Sequence, residues 1–306
     1  MNAEKVKIIL GYTMVCLIWG STWMAIRIGL DSVSPILSAG FRFSLASAAL
    51  YLYMKYKGVK IQTDRRSIAL YIILGVFSFV IPFGLSYWGQ NYIPSWLAAI
   101  LFAVMPFFVL IFSRMAIPQD KIQSDKIAAM IMGFLGIIII FSKNLSWDSG
   151  FSFWGMVAIL LGAVLQAAIA VMVKKYGEHL HPLSMNFIPI LICGVSLTAA
   201  GLIFEDVSAI KLDSKALISI AYLAIFGTIL TFTTYYWLLK RINIILLSLT
   251  SFVTPIVAMV LGAVFMGEIL TSRDLLGSSL VLIAILFANF KGLKNYFMVQ
   301  RAGVND

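Results

Sequence analysis

The feature that most limits what this chain can fold into is a succession of ten apolar stretches, at about 8–28, 34–54, 68–89, 95–117, 127–142, 152–173, 184–204, 215–238, 244–266 and 275–290. A helix rises about 1.5 Å per residue, so roughly 17–25 such residues cross about 30 Å of hydrocarbon. The stretches are continuously apolar and do not alternate at period two, which excludes a transmembrane barrel. Composition points the same way, because 61% hydrophobic against 12% charged residues leaves too little charge to cover a soluble surface. The expected fold is an all-α integral membrane protein of ten transmembrane helices, solvated by a lipid bilayer. The stretches at 127–142 and 275–290 are short, about 24 Å of helix, and are expected to need local thinning or snorkelling ends. Disorder, a disulfide scaffold and a nucleic-acid-binding domain are excluded, and Cys16 and Cys193 both fall inside apolar stretches.

The net charge of +10 then reads as a topology signal. With ten spans, alternate connections lie on opposite sides, and 17 of the 23 Lys and Arg fall on the side that carries both termini. Arg27, Lys143, Lys211, Lys215 and Arg273 fall on the other, and Arg42 lies within a span. The positive-inside rule places both termini in the cytoplasm of a multi-pass protein of the plasma membrane, the inner membrane of a bacterium. Lys5 and Lys7 before the first stretch resemble the start of a signal peptide, but no small-residue cleavage site follows, so the stretch is taken as the first helix.

An offset of 149 residues superimposes 74–141 on 223–290 without gaps: Leu74 on Leu223, Phe77 on Phe226, Tyr87 and Trp88 on Tyr236 and Trp237, Pro106 on Pro255, and Asp125 on Asp274. A five-helix unit that begins on one side of the membrane ends on the other, so its copy runs upside down. The expected organisation is two inverted five-helix repeats, residues 1–145 and 146–292, with a cytoplasmic tail at 293–306. Such inverted halves place a small-molecule substrate between them near mid-bilayer and expose it to each side in turn.

Ile18-Trp19-Gly20-Ser21-Thr22-Trp23 in the first stretch, Gly40-Phe41-Arg42-Phe43 in the second and Phe265-Met266-Gly267-Glu268 closing the ninth resemble the EamA family of the drug/metabolite transporter superfamily. The resemblance covers nearly the whole chain. It implies a ten-helix transporter of amino acids, related metabolites or small drugs, usually an exporter, with a central cavity built by both halves. Pro118 and Gln119 stand where the family often repeats the Gly-Glu pair, which argues against a mechanism needing symmetric carboxylates.

Arg42 is the ionised residue placed deep in a span, about 12 Å from its end. A charge there costs at least about 2.5 kcal/mol and must face protein or a wet cavity. It is either the anion partner of a carboxylate-bearing substrate, half of a gate, or a packing residue bonded to neighbouring carbonyls. Glu268 at the outer end of the ninth span is the carboxylate considered as its partner. Trp19, Thr22 and Trp23 share one helix face at i, i+3 and i+4. Tyr87 and Tyr236 end equivalent spans where a phenol needs a partner, and Gln166 is central in the sixth span, either bonding another helix or meeting substrate. Pro106 and Pro255 free the carbonyls of Phe102 and Ser251, as hinges or as static kinks. Gly133, Gly136 and Gly277 suggest close helix packing.

No metal or cofactor is expected; His179 and His181 beside Glu178 lie in a loop without ligand spacing. No Asp, Glu or His lies mid-span, so transport is expected to follow the substrate gradient, by facilitated diffusion or exchange, or to couple through Glu268 alone. Three competing classes fit less well. An enzyme acting on lipid headgroups needs convergent acids, bases or ligands within the membrane. A pore favours a ring of subunits. A sugar or nucleotide-sugar carrier calls for more than one intramembrane cation.

Overall fold

The computed structural model of the chain describes residues 3–116, 124–142, 150–177, 179–239, 241–242, 246–247 and 249–301. Among the described residues the principal elements are ten helices: α1 (Ala3–Gly29), α2 (Pro35–Lys57), α3 (Arg65–Gln90), α4 (Ser95–Ala116), α5 (Ser124–Ser142), α6 (Gly150–Tyr176), α7 (Pro182–Phe204), α8 (Ser214–Ala224 continuing through Ile225–Leu230 and Thr231–Leu239), α9 (Thr250–Met266) and α10 (Ser272–Arg301). Nine are long and apolar enough to cross a membrane, and α9 is a shorter apolar helix of 17 residues. The molecule is a multi-pass membrane protein.

Two expected lengths are corrected. The apolar windows Ser124–Ser142 of α5 and Ser272–Phe290 of α10 are each 19 residues, about 28 Å. Both helices begin before their apolar stretches, because the polar residues Ser124, Asp125 and Lys126, and Ser272, Arg273 and Asp274, are already helical. The i→i−4 ladder does not stop where hydropathy does. Conversely α9 begins at Thr250, six residues inside its expected start; residues 243–245 and 248 lie outside the described residues.

Helix ends follow local chemistry. Asp64 and Asp213, 149 residues apart, cap α3 and α8 by accepting from the N–H of Ser67 at 3.0 Å and of Ala216 at 2.9 Å. These bonds, with those from the Ser67 and Ser32 hydroxyls, hold both carboxyls below the ordinary Asp value. Gly267 ends α9 with φ +63°, a left-handed conformation that glycine adopts without penalty.

The pairings come in matched sets. α2 lies on α7 and α5 on α10, while α1 lies on α8 and α9 as α6 lies on α3 and α4. Small residues bring the backbones together: a methyl group at Gly136 would stand 2.6 Å from the Gly277 carbonyl, and one at Gly40 2.5 Å from the Thr198 nitrogen. Both α3 and α8 contain one wide π turn, Gly75–Val80 and Ile225–Leu230. In α3 the turn precedes Pro82, which lacks a donor for the ladder. In α8 hydroxyls fill it, Thr228 donating to the Leu223 carbonyl at 2.9 Å and Thr231 to that of Phe226.

Candidate functional site

The π turn of α8 is the local event that builds the site. It turns the Thr228 side chain inward, where its hydroxyl donates to Leu223 and offers its lone pairs elsewhere. Arg42 of α2 uses them: Nε and Nη2 both donate to Thr228 Oγ1 at 3.3 Å, and Nη1 donates to the Tyr87 hydroxyl of α3 at 3.2 Å. Arg42 is 4% exposed, Thr228 1% and Tyr87 not at all. The guanidinium carbon lies 4.8 Å from the centroid of Phe43 and 5.4 Å from that of Phe83, within cation–π range. Phe79 completes this aromatic wall, 5.8 Å from Phe83. Among the described residues no carboxylate lies within ion-pair distance of Arg42. A buried charge is ordinarily neutralised or paired, and this one is held by neutral oxygens and aromatic faces.

The first helix supplies the adjoining wall. Thr22 donates to the Trp19 carbonyl at 2.7 Å, and a methyl group at Gly227 would lie 2.9 Å from Thr22 Cγ2 and 3.7 Å from Arg42 Nη2. Glycine at 227 therefore lets α1 approach the π turn closely, while the guanidinium stands at ordinary contact distance. The Trp23 carbonyl accepts from Gln90 Nε2 of α3, while Gln90 Oε1 is buried without a partner among the described residues. The Trp23 ring stands 5.5 Å from Phe102 of α4, and the Trp19 ring 5.7 and 5.2 Å from Phe232 and Tyr235 of α8. The i, i+3, i+4 face of α1 thus fans onto three helices.

Arg42, Tyr87 and Thr22 are brought together, with the Trp23 backbone beside them. Gln166 stands apart: it is half-buried on α6, one turn beyond Gly162, which meets Pro82 and Ser86 of α3, and it has no hydrogen-bond partner among the described residues. The side chain of Tyr236 lies outside the described residues, as do Pro118, Gln119 and Glu178. Pro106 breaks α4, whose helix stops at Phe102 and resumes at Met105, whereas Pro255 sits inside an uninterrupted α9.

Glu268 is not a partner of Arg42. Its Oε1 accepts from Ser95 N at 2.7 Å and its Oε2 from Ser95 Oγ at 2.9 Å and Trp96 N at 3.4 Å, so it caps α4. Glu205 does the same for α2, accepting from Ser34 Oγ, Ile36 N and Leu37 N at 2.7–2.9 Å. Both acids neutralise the positive ends of helix dipoles.

The residue missed in the sequence is Thr228. Its signal is a run of hydroxyls inside an apolar span, Thr228, Thr231, Thr233 and Thr234. A separate cleft of about 440 Å³ opens between α1 and α8, lined by Ser21, Met24, Ile28, Lys215, Ile218 and Tyr222. Among the described residues no group of three or more His, Cys, Asp or Glu is placed to hold a metal.

Comparison with known proteins gives one consistent result. The model of the EamA-like transporter family matches residues 6–142 and again 153–290. The Escherichia coli K12 protein described as an uncharacterized inner membrane transporter, YedA, is 30% identical over 88% of this chain and 86% of its own. The Bacillus subtilis uncharacterized transporter YoaV is 25% identical over 93% and 97%, and the Salmonella typhimurium protein PagO 27% identical over 89% and 90%. A solved crystal structure shares the fold with a TM-score of 0.66, covering 93% of this chain and 97% of the other at 16% identity.

Proposed function

We propose a mechanism for a chain that belongs to the EamA-like transporter family and is therefore a membrane transporter: it carries small metabolites, amino acids and related compounds among them, across a bacterial inner membrane by alternating access. The observation that carries this is the position of Arg42. Its bonds run to Thr228 in the group α1, α8 and α9, and to Tyr87 in the group α3, α4 and α6. A substrate seated there touches both groups at once, so binding and movement are coupled.

The double match of the family model, the paired π turns and the matched helix pairings support two inverted halves. Because α1 packs with helices of the second half and α6 with helices of the first, the moving bodies are these mixed groups and not the halves themselves. The paired helices α2 with α7 and α5 with α10 form the frame between them. The distribution of Lys and Arg supports cytoplasmic termini, which makes the Glu268–Ser95 contact an outer closure. Gradient-driven exchange fits a chain whose Glu268 oxygens are both occupied as a helix cap. A nucleotide-sugar carrier is disfavoured, since Arg42 stands without a second cation in its bonding group among the described residues.

Vesicles containing the purified protein and loaded with radiolabelled amino acids test the reading. Release above protein-free vesicles, accelerated by unlabelled substrate outside, is expected. Cysteines placed at Ser95 and Glu268 in a variant lacking Cys16 and Cys193, joined by a short thiol cross-linker, are expected to stop release until the link is cleaved. Undiminished flux through fully cross-linked protein would remove the moving-group mechanism.

A further inference from the structure

We infer that Arg42 is the docking point for the carboxylate of a small organic substrate. The inference rests on the transporter reading for its consequence, but its argument is electrostatic. An intramembrane Arg is costly, and every described contact it makes is with a neutral group: Thr228 twice through one oxygen, Tyr87 once, and the faces of Phe43 and Phe83. The 3.3 and 3.2 Å bonds are long for a charged donor, which ordinarily closes to about 2.7–2.9 Å on an anion. They leave one N–H on each terminal nitrogen without a partner among the described residues. No Asp or Glu lies within α2, α3 or α8, the helices that supply the groups bonded to Arg42, and among the described residues no carboxylate pairs with it, so these helices offer it no neutralising charge.

The surroundings select the anion. A phosphate or other dianion needs several cations, whereas one guanidinium edge matches a planar monoanionic carboxylate through two parallel bonds. Phe43, Phe79 and Phe83 provide an apolar wall for the body attached to it. A simple organic acid and the carboxylate of an amino acid share this chemistry. Gln90 Oε1, buried and unpartnered one turn along α3 from Tyr87, is an acceptor of the kind an ammonium group requires.

The test is thermal unfolding of the detergent-purified full chain at constant chloride, with phenylacetate, L-phenylalanine, phenylacetamide and L-phenylalaninamide as probes. At least one of the two acids is expected to raise the melting temperature in a saturable manner, and its amide to bind about tenfold or more weakly. Response to phenylacetate identifies a simple carboxylate site; response to L-phenylalanine alone adds recognition of the ammonium. Arg42→Met is expected to abolish the response while leaving the ligand-free melting temperature equal or higher, since an uncompensated buried charge has been removed. Arg42→Lys keeps part of it. Equal shifts from acids and amides, no shift from any probe, or an undiminished response in Arg42→Met would overturn the inference. The same probes in vesicles separate it from the transporter reading: acid binding through Arg42 without flux sinks transport and spares the site, and flux with unchanged acid preference in Arg42→Met does the reverse.

Discussion

The Glu268 carboxylate at the end of α9 and the first turn of α4 at Ser95 form one capped unit, with Oε1 2.7 Å from the Ser95 nitrogen and Oε2 2.9 Å from its hydroxyl. Gly267 makes this possible, because its left-handed turn aims the following side chain back across the helix end. The Gly-Glu pair is thus a turn and a cap. Glu268→Gln keeps the shape but loses charge-assisted bonds and the dipole interaction, together about 1–3 kcal/mol. Labelling of a cysteine placed at Phe102 by an impermeant thiol reagent is expected to rise about tenfold as the two groups separate more often. Equal labelling rates in the two backgrounds would show that this contact does not hold the groups together.

Thr228 is the hinge of the polar arrangement around Arg42, and its two roles are separable. Thr228→Val removes the acceptor for two guanidinium bonds and the donor to the Leu223 carbonyl, leaving buried polar groups unmet at a cost of about 1–3 kcal/mol each. Thr228→Ser retains the hydroxyl. Chemical denaturation is expected to show Val well below wild type and Ser close to it; equal stability for Val would mean the 3.3 Å bonds contribute nothing.

Much of this was legible from residues alone, and the misses have physical causes. Apolar length locates α2 to α8 within about three residues because hydrocarbon selects for it directly. It misplaces the start of α1 and the end of α10, which run from Ala3 and on to Arg301, where helix continues into polar residues such as Glu4, Lys5 and Lys294. Arg42 and Tyr87 stand out because charge and phenol are scarce in a span. Thr228 does not, because one more hydroxyl in a threonine-rich helix gains meaning only from the π turn and from the approach of α2, both non-local. Depth along the helix suggested pairing Glu268 with Arg42, yet a helix N-terminus offers a carboxylate several donors at shorter range.

Low pH loosens the loop clamp at Asp213. Asp213 accepts from Ala216 N and Ser32 Oγ, and the Ser32 carbonyl accepts from Lys211 N at 2.9 Å, so the α1–α2 turn is tied to the segment before α8. The Asp213 carboxyl titrates below its ordinary value chiefly through the Ala216 N–H, then the Ser32 hydroxyl. A depressed value means that the stabilisation is present above the unfolded value of about 4 and is lost as pH falls through the folded one. Amide exchange in residues 205–217, corrected for its intrinsic pH dependence, is expected to stay flat from neutral pH to about 5 and to rise below about 4. Asp213→Asn is expected to show the raised exchange already at neutral pH.

Gly136 faces Gly277 where α5 crosses α10, and a methyl group there would stand 2.6 Å from a backbone carbonyl that cannot rotate away. Relief requires the helices to part, at a cost of about 1–3 kcal/mol for overpacking. Gly136→Ala is therefore expected to lower the denaturation midpoint measurably, and Gly136→Leu to prevent accumulation of folded protein. Gly150, with open space around its Cβ position, is the control: Gly150→Ala at the start of α6 is expected to leave the midpoint unchanged. If the alanine variants at both positions unfold alike, the α5–α10 crossing is looser than the close approach of Gly136 to Gly277 implies, and the pair is a poor choice for the rigid frame that the proposed mechanism requires.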